Sequence, residues 1–410
     1  MSYLRERSGR TFPAVWLPVF LTGLLAGVFP ATAGNRVIAW GAGMVTNKAD
    51  GVDYGQSVAP ASLTNAVLLA AGYLHGLALN ANGSLQGWGD NTYGQTSFPV
   101  ASNYLAIACG YLHSLALQTN GRVAAAGSDA DGQTQVPGNL SNVVAVACGL
   151  YHSLALCSDG TVVAWGTSTN SAVINGNDGI DYGQSVVPPG LSNVVAIAGG
   201  GCHSLALKSD GTITGWGSDA AGESNPPLGL SNVVAIAAGA SHSLALRANG
   251  MVVAWGSNLY EQTNVPAGLS NVVAIACGAG HSLALKSNGT VVAWGAVVGT
   301  NANVNYGQAV VPAGLSNVGQ IAAGMFNSLA LAGGAPPVLA VPLTVVRSWT
   351  NSFTVSLPTR NGRVYRLEYV NSLTNRIWSA FPLQAGTGGT NFFTDFTLPG
   401  AQRFYRVTQW

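Results

Sequence analysis

Charge is what this sequence has least of. Only 8% of its 410 residues are Asp, Glu, Lys or Arg, about a third of the ~25% usual in soluble domains. Sixteen Lys and Arg stand against fifteen Asp and Glu, a net +1. So even a balance argues against a nucleic-acid binder that works by neutralising phosphates. Cysteine is scarce too: five residues, an odd number, with no zinc spacing, which excludes a disulfide scaffold. Glu223 and Glu261 are the only glutamates between residues 34 and 337, and no acid–base pair for catalysis stands out. Past residue 33 no apolar run is long enough to span a bilayer as a helix. What the chain has in excess is glycine, 54 residues, about double the ordinary ~7%. Hydrophobic residues make up 48%, enough for a packed core in the two or three domains that this length suggests.

The one long apolar run opens the chain. Arg5, Arg7 and Arg10 precede an uncharged stretch from Phe12 to Phe29, and Ala31-Thr32-Ala33 follows. A basic start, an apolar middle and a small-x-small site read as a secretory signal peptide over residues 1–33. The alternative is an uncleaved membrane anchor, but Pro13, Pro18 and Pro30 interrupt the run. The mature chain, from Gly34, is expected outside the cytoplasm: secreted, periplasmic or at the cell surface.

The middle is one unit written seven times. The pattern V-V-A-I-A-x-G-x-x-H-S-L-A-L-x-x-[ND]-G-x-V-V-A-W-G recurs, and all six histidines (His75, His113, His152, His203, His242, His281) occupy one position of it. A seventh copy has Asn327 there. Each unit reads as three strands: a β-branched run, the alternating H-S-L-A-L, and the V-V-A-W run. Asn-Gly or Asp-Gly joins the second strand to the third, as at Asn82-Gly83 and Asp159-Gly160, and predicts a type I′ hairpin. The glycine excess is therefore turn chemistry. Seven H-S-L-A-L positions and seven W-G positions, one degenerate at Ala126-Gly127, meet only six such turns. The chain starts with a third strand, Arg36 to Trp40, and the repeats end with a first and second, Val318 to Leu331. The missing turn is where the ends meet. Residues 34–334 are thus expected to form an all-β, seven-bladed propeller of three-stranded blades, closed by the N-terminal strand, which leaves no exposed edges.

The G-x-x-H-S-L-A-L…G-x-V-x-x-W-G signature resembles that of regulator-of-chromosome-condensation repeats. The short unit looks most like a secreted bacterial branch that includes propeller-type β-lactamase inhibitor proteins. That resemblance implies a seven-bladed propeller and, for the branch, inhibition of a β-lactamase. The nucleotide-exchange activity of nuclear relatives does not carry over to an exported chain.

The histidine ring invites a metal or catalytic reading. Equivalent positions on different blades do not converge on one point as ligands must, and no Asp or Glu accompanies each His-Ser pair to complete a triad. The histidines are read as blade-packing hydrogen bonds repeated by symmetry, and the tryptophans as core. Cys109, Cys148 and Cys277 replace an alanine of other copies and read as small buried hydrophobes. No cofactor and no metal set is assigned. Two acidic loops, Asp50–Asp53 and Asn175–Asp181, could hold calcium, although neither supplies a bidentate Glu.

Function in a repeat protein is sought where the copies differ. The pair before each His varies most. Tyr73-Leu74, Tyr111-Leu112, Leu150-Tyr151 and Met325-Phe326 are bulky; the other three pairs are small. With ring closure the bulky pairs are consecutive and form an exposed apolar arc over half of one face. Such patches mark interaction sites. The alternative is that these side chains fold back over the blade tips as satellite clusters. Three long connections, 42–54, 167–182 and 296–306, start on that same face. The leading function is a non-catalytic, monomeric scaffold that binds an unidentified protein through this arc. The second is an exported hydrolase or lyase using the long acidic loops.

After a linker, 335–342, residues 343–410 read as a small β-sandwich. Split by segment, residues 34–337 carry six cations and twelve acids, and the tail seven arginines and two acids. An acidic ring is joined to a basic module. The nucleic-acid exclusion holds for the ring, and an anionic cell surface or polysaccharide is the expected contact of the tail.

Overall fold

The computed structural model describes residues 4–5, 35–44, 53–101, 103–167, 181–296, 305–333, 345–349, 352–359, 363–370, 379–387, 389–396 and 403–409. The leader apart from Leu4 and Arg5, the linker, and the centres of the three long connections lie outside them, and with them the candidate calcium loops except Asp53 and Asp181.

Seven antiparallel three-stranded sheets repeat along the chain. In the first, Ala66–Ala71 pairs with His75–Asn80, which pairs with Leu85–Gly89. The middle strand is apolar on both faces and packs between blades, with Leu77, Leu115, Leu154, Leu205, Leu244 and Leu283 at 0% exposure. First strands of neighbouring blades pack on one another and line the axis. On the outer strand the W-G end is buried, as at Trp165 and Trp216, and in the fifth and sixth blades so is its first residue, Val252 and Val291.

The hairpins differ from the expected type I′. At Gly83 φ is 79°, but Asn82 is not in the left-handed region. Gly83 N donates to Asn80 O (2.9 Å), and Asn80 N donates to Ser84 O (2.9 Å). This is a type I turn followed by a left-handed glycine, the longer hairpin solution for the same dipeptide. Asn82 Oδ1 accepts from Ser84 N (3.0 Å). Its carboxyl or amide counterparts, such as Asp159 and Asp210, accept in the same way.

The seventh sheet comes from both ends of the repeat region. Arg36–Gly41 pairs with Asn327–Ala332, Trp40 opposite Ser328, and Asn327–Ala332 pairs with Val318–Ala323. It abuts the first blade: Gln320 Oε1 accepts from Leu69 N (2.9 Å), and Gln320 Nε2 donates to Leu69 O (3.2 Å).

The tail forms two further sheets. One is Val345–Trp349, Ser352–Pro358 and Thr390–Asp395. In the other, Val364–Val370 pairs with Phe404–Gln409 and with two short strands, and Leu4–Arg5 extends its edge. Phe353, Val355, Leu357, Tyr365, Leu367, Phe393 and Tyr405 form one cluster between the sheets.

This tail rests against the hairpin end of the ring. Leu383 N donates to Ser209 O (2.8 Å), and Val364 and Leu383 join the core around Val195 and Val234. The second residue of every first strand is bulged out of register, as at Val144, Val195 and Val234. Those three are buried at 5%, 7% and 0%, whereas Val67, Leu105 and Val273 at the same place in uncovered blades are half-buried.

Candidate functional site

Each histidine is locked into the next blade. Its Nε2 meets the serine of that blade: His75–Ser114 2.8 Å, His113–Ser153 3.1 Å, His152–Ser204 2.9 Å, His203–Ser243 2.9 Å, His242–Ser282 3.0 Å and His281–Ser328 2.9 Å. Five of those serines pass their own proton to a backbone carbonyl, as Ser204 does to Gln184 O (3.0 Å). The histidine must therefore donate from Nε2. The same carbonyl accepts the indole N–H of Trp216 (2.8 Å). All six rings are fully buried, and burial lowers their pKa values from 6.5 to about 3 or 4. No carboxylate bonds to Nδ1, which has no partner in any of the six. The arrangement is structural, as the spacing implied. The glycine three residues before each His is required by it, because a Cβ at Gly149 or Gly278 would overlap the ring.

Two departures from the pattern fall together. The first blade has Gly76 where the others have serine, and the seventh has Asn327 where the others have histidine. Asn327 Nδ2 donates straight to Gln56 O (3.3 Å), which also takes the Trp88 indole N–H (2.9 Å). One amide thus replaces both the imidazole and the hydroxyl.

The belt leaves the turns before each His at the opposite end from the tail. These turns hold one another through backbone bonds: Tyr73 N donates to Gly110 O (3.1 Å), Leu150 N to Gly200 O (3.1 Å), and Met325 N to Gly72 O (3.3 Å). On them stands a ladder of rings. Tyr151 and Tyr111 have centroids 5.5 Å apart, Tyr111 and Tyr73 4.4 Å, and Tyr73 and Phe326 5.6 Å. Tyr306 continues it at 5.3 Å from Phe326. The four bulky pairs are therefore consecutive in space.

They are less exposed than a turn position suggested. Leu74 (5%) and Phe326 (9%) are buried. Tyr73, Tyr111, Leu112, Leu150, Tyr151 and Met325 are half-buried. The rings lean on their neighbours, which covers their sides and leaves part of each open. Burial, then the Tyr111 hydroxyl beside it, pushes the Tyr73 phenol up to about 12. Tyr151 is raised by burial first, then by Tyr111, Cys202 and Asp131. Tyr306 and Asp131 are members of this site that the pair-by-pair comparison missed. Both belong to the Y-G-Q position of the unit, which also carries Tyr260, whose ring lies where a Cβ of Gly280 would fall.

Three of the seven tail arginines are paired. Arg366 (2.7 Å) and Arg406 (2.6 Å) both bind Glu368. Arg403 is paired with the buried Asp395 and stacks over Tyr369 at 4.1 Å.

Residues 66–95, 105–133, 143–171, 194–223, 233–262 and 272–308 match the family model of the Regulator of chromosome condensation (RCC1) repeat. No curated protein matches the chain. Solved structures share the fold, among them these three. Prp20p from Saccharomyces cerevisiae, a protein with binding properties to Gsp1p and histones, is 20% identical at a TM-score of 0.57, over 73% of this chain and 92% of that one. Yeast RCC1 (Prp20) bound by Kap60 is 19% identical at 0.55, over 78% and 96%. Human WBSCR16 is 21% identical at 0.53, over 73% and 100%. Six matched repeats, a seventh sheet made from both ends of the repeat region and the shared fold agree: the chain belongs to the regulator of chromosome condensation repeat family.

Proposed function

We propose that this chain is an exported, non-catalytic scaffold that holds a protein partner on the aromatic end of the ring. The observation that carries the reading is the five-ring ladder from Tyr151 to Tyr306. Half-open aromatic rows with aliphatic neighbours are the usual anchors of protein interfaces. Binding of Gsp1p and histones by Prp20p, and the complex of Prp20 with Kap60, support the fold as a platform for proteins. Ring closure by Arg36–Gly41 gives that platform its rigidity, and the tail, as a small sandwich, covers the other end. Export rests on the leader pattern of residues 1–33. Inhibition of a β-lactamase rests on resemblance alone and is not part of the proposal. An exported hydrolase or lyase would have to use the long acidic loops, because the belt already occupies the histidines.

The test is capture of a partner from the organism's secreted proteins by mature protein, identified by mass spectrometry. The Tyr73→Ala/Tyr111→Ala/Tyr151→Ala/Phe326→Ala variant should lose the partner while keeping its circular dichroism spectrum. A folded quadruple variant that binds as well as the wild type would move the site elsewhere.

A further inference from the structure

The propeller is electrically polar along its axis. Its described cations are Arg36, Arg122, Lys208, Arg247 and Lys286. All five lie at the hairpin end, where the strands begin or end away from the histidine turns, against two acids there, Asp159 and Asp210. The tail, with its excess of arginine, rests on that same end. The aromatic end has the opposite character. Asp53, Asp129, Asp131, Asp181, Asp219 and Glu261 lie in the connections that start there, above the buried Asp90 and Glu223. Among the described residues no lysine or arginine shares that end.

The aromatic end is also lopsided. Blades seven, one, two and three raise the wall of rings. Blades four, five and six carry the small pairs Gly201-Cys202, Ala240-Ser241 and Ala279-Gly280 on their turns, with Tyr260 standing over Gly280, so this half lacks the continuous row of rings. The exposed carboxylates Asp219 and Glu261 stand on the connections of that half. Asp131, on the connection into blade three, is close enough to Tyr151 to raise its phenol.

Phenol faces attract cations through their quadrupoles, most strongly where water is partly excluded. Carboxylates on the rim steer and orient a positive partner and reject a negative one. From this joint placement we infer that the aromatic end is a receptor for a cationic, extended protein segment, whose apolar residues lie on the Tyr151–Tyr306 wall and whose lysines or arginines meet the tyrosine faces and the Asp131, Asp219 and Glu261 rim. The inference rests on the protein-binding reading above and adds the chemistry of the partner.

Two synthetic peptides of about twelve residues test it. Both carry the same leucines and tryptophans, one with lysine and the other with glutamate between them. Fluorescence anisotropy on the full mature protein should show the lysine peptide binding at least about tenfold more tightly than the glutamate one. Its affinity should fall as salt is raised from about 50 mM to about 300 mM. Tyr73→Ala/Tyr111→Ala should weaken it by about tenfold or more. Asp219→Asn/Glu261→Gln, at exposed positions, should weaken it about threefold to tenfold and flatten the salt dependence. Equal binding of the two peptides would overturn the charge preference and leave the aromatic site standing. Lysine-peptide binding unaffected by the tyrosine variant would overturn the location. Binding of neither peptide would overturn the inference, while the quadruple variant still decides for the protein-binding reading on its own.

Discussion

Acid should unfold this protein at a pH where most proteins are at their best, and the belt of histidines sets the size of the effect. Every histidine in the chain is buried and neutral, with pKa values of about 3 or 4 in the folded state. Burial is the first cause in each case; Asp90 near His75 and Glu223 and Asp219 near His203 only soften it. In the unfolded chain the same imidazoles titrate near 6.5. Between these values the unfolded state binds more protons, so stability falls as pH falls. It is complete above about 6.5 and drains away toward the folded values. One histidine at pH 5 costs about 2 kcal/mol. Six cost on the order of 12 kcal/mol, as large as the whole stability of a typical domain. The limiting slope is about 8 kcal/mol per pH unit. No other side chain has an ordinary pKa in this window. Urea unfolding followed by tryptophan fluorescence, at about pH 7.5, 6.5 and 5.5 and constant ionic strength, should show the midpoint collapsing at the lowest pH. His152→Asn, which puts the seventh blade's residue into the third, should lower the slope by about one sixth. A midpoint unchanged from pH 7.5 to 5.5 would refute the account.

Two further perturbations test the seam and the tail. Gly76→Ser restores the residue found in the other six blades, yet it should destabilise by about 1–3 kcal/mol in urea, because a Cβ at Gly76 overlaps the Trp88 ring. Leu383→Asp puts a charge into the contact with Val195 and Val234; limited proteolysis should then release the tail from an otherwise intact ring, and unchanged protection would mean that the tail is held elsewhere.

Much of this architecture can be read in the letters because packing repeats them. The strands, the blade count and the pairing of Arg36–Gly41 with Asn327–Ala332 follow from counting units. The cross-blade partner of each histidine was also within reach. The only copy without His and the only copy without Ser are neighbours around the ring, a paired departure that points at contact. Tyr306 lies outside the pair before each His, so comparing those pairs does not find it. Other features leave no trace. Asn-Gly serves two hairpin geometries, and loop length decides between them. The docking of the tail is invisible, since Val144, Val195 and Val234, which it covers, match Val67 and Val273, which it does not. The ion pairs of Glu368 with Arg366 and Arg406, and of Asp395 with Arg403, are equally invisible, because composition does not say which charges meet.

The seam and the aromatic wall occupy the same place, and that has a physical consequence. Phe326 and Tyr73 stand 5.6 Å apart on opposite sides of the junction between the last blade and the first. Tyr306 arrives on the connection that leads into the last blade, and Gln308 O at its base accepts both the Trp40 indole N–H (2.8 Å) and the Ser328 hydroxyl (2.9 Å). The base of the wall is therefore shared with the N-terminal strand. Backbone bonds from turn to turn fix the rings in advance, so a partner loses little of its binding energy to ordering them. A chain whose ends had parted would present Tyr73, Tyr111 and Tyr151 without Phe326 and Tyr306, a shorter row on unsupported turns. Partner binding in this fold should accordingly report ring closure: the partner stabilises the seam by mass action, although none of the seam's hydrogen bonds reaches it.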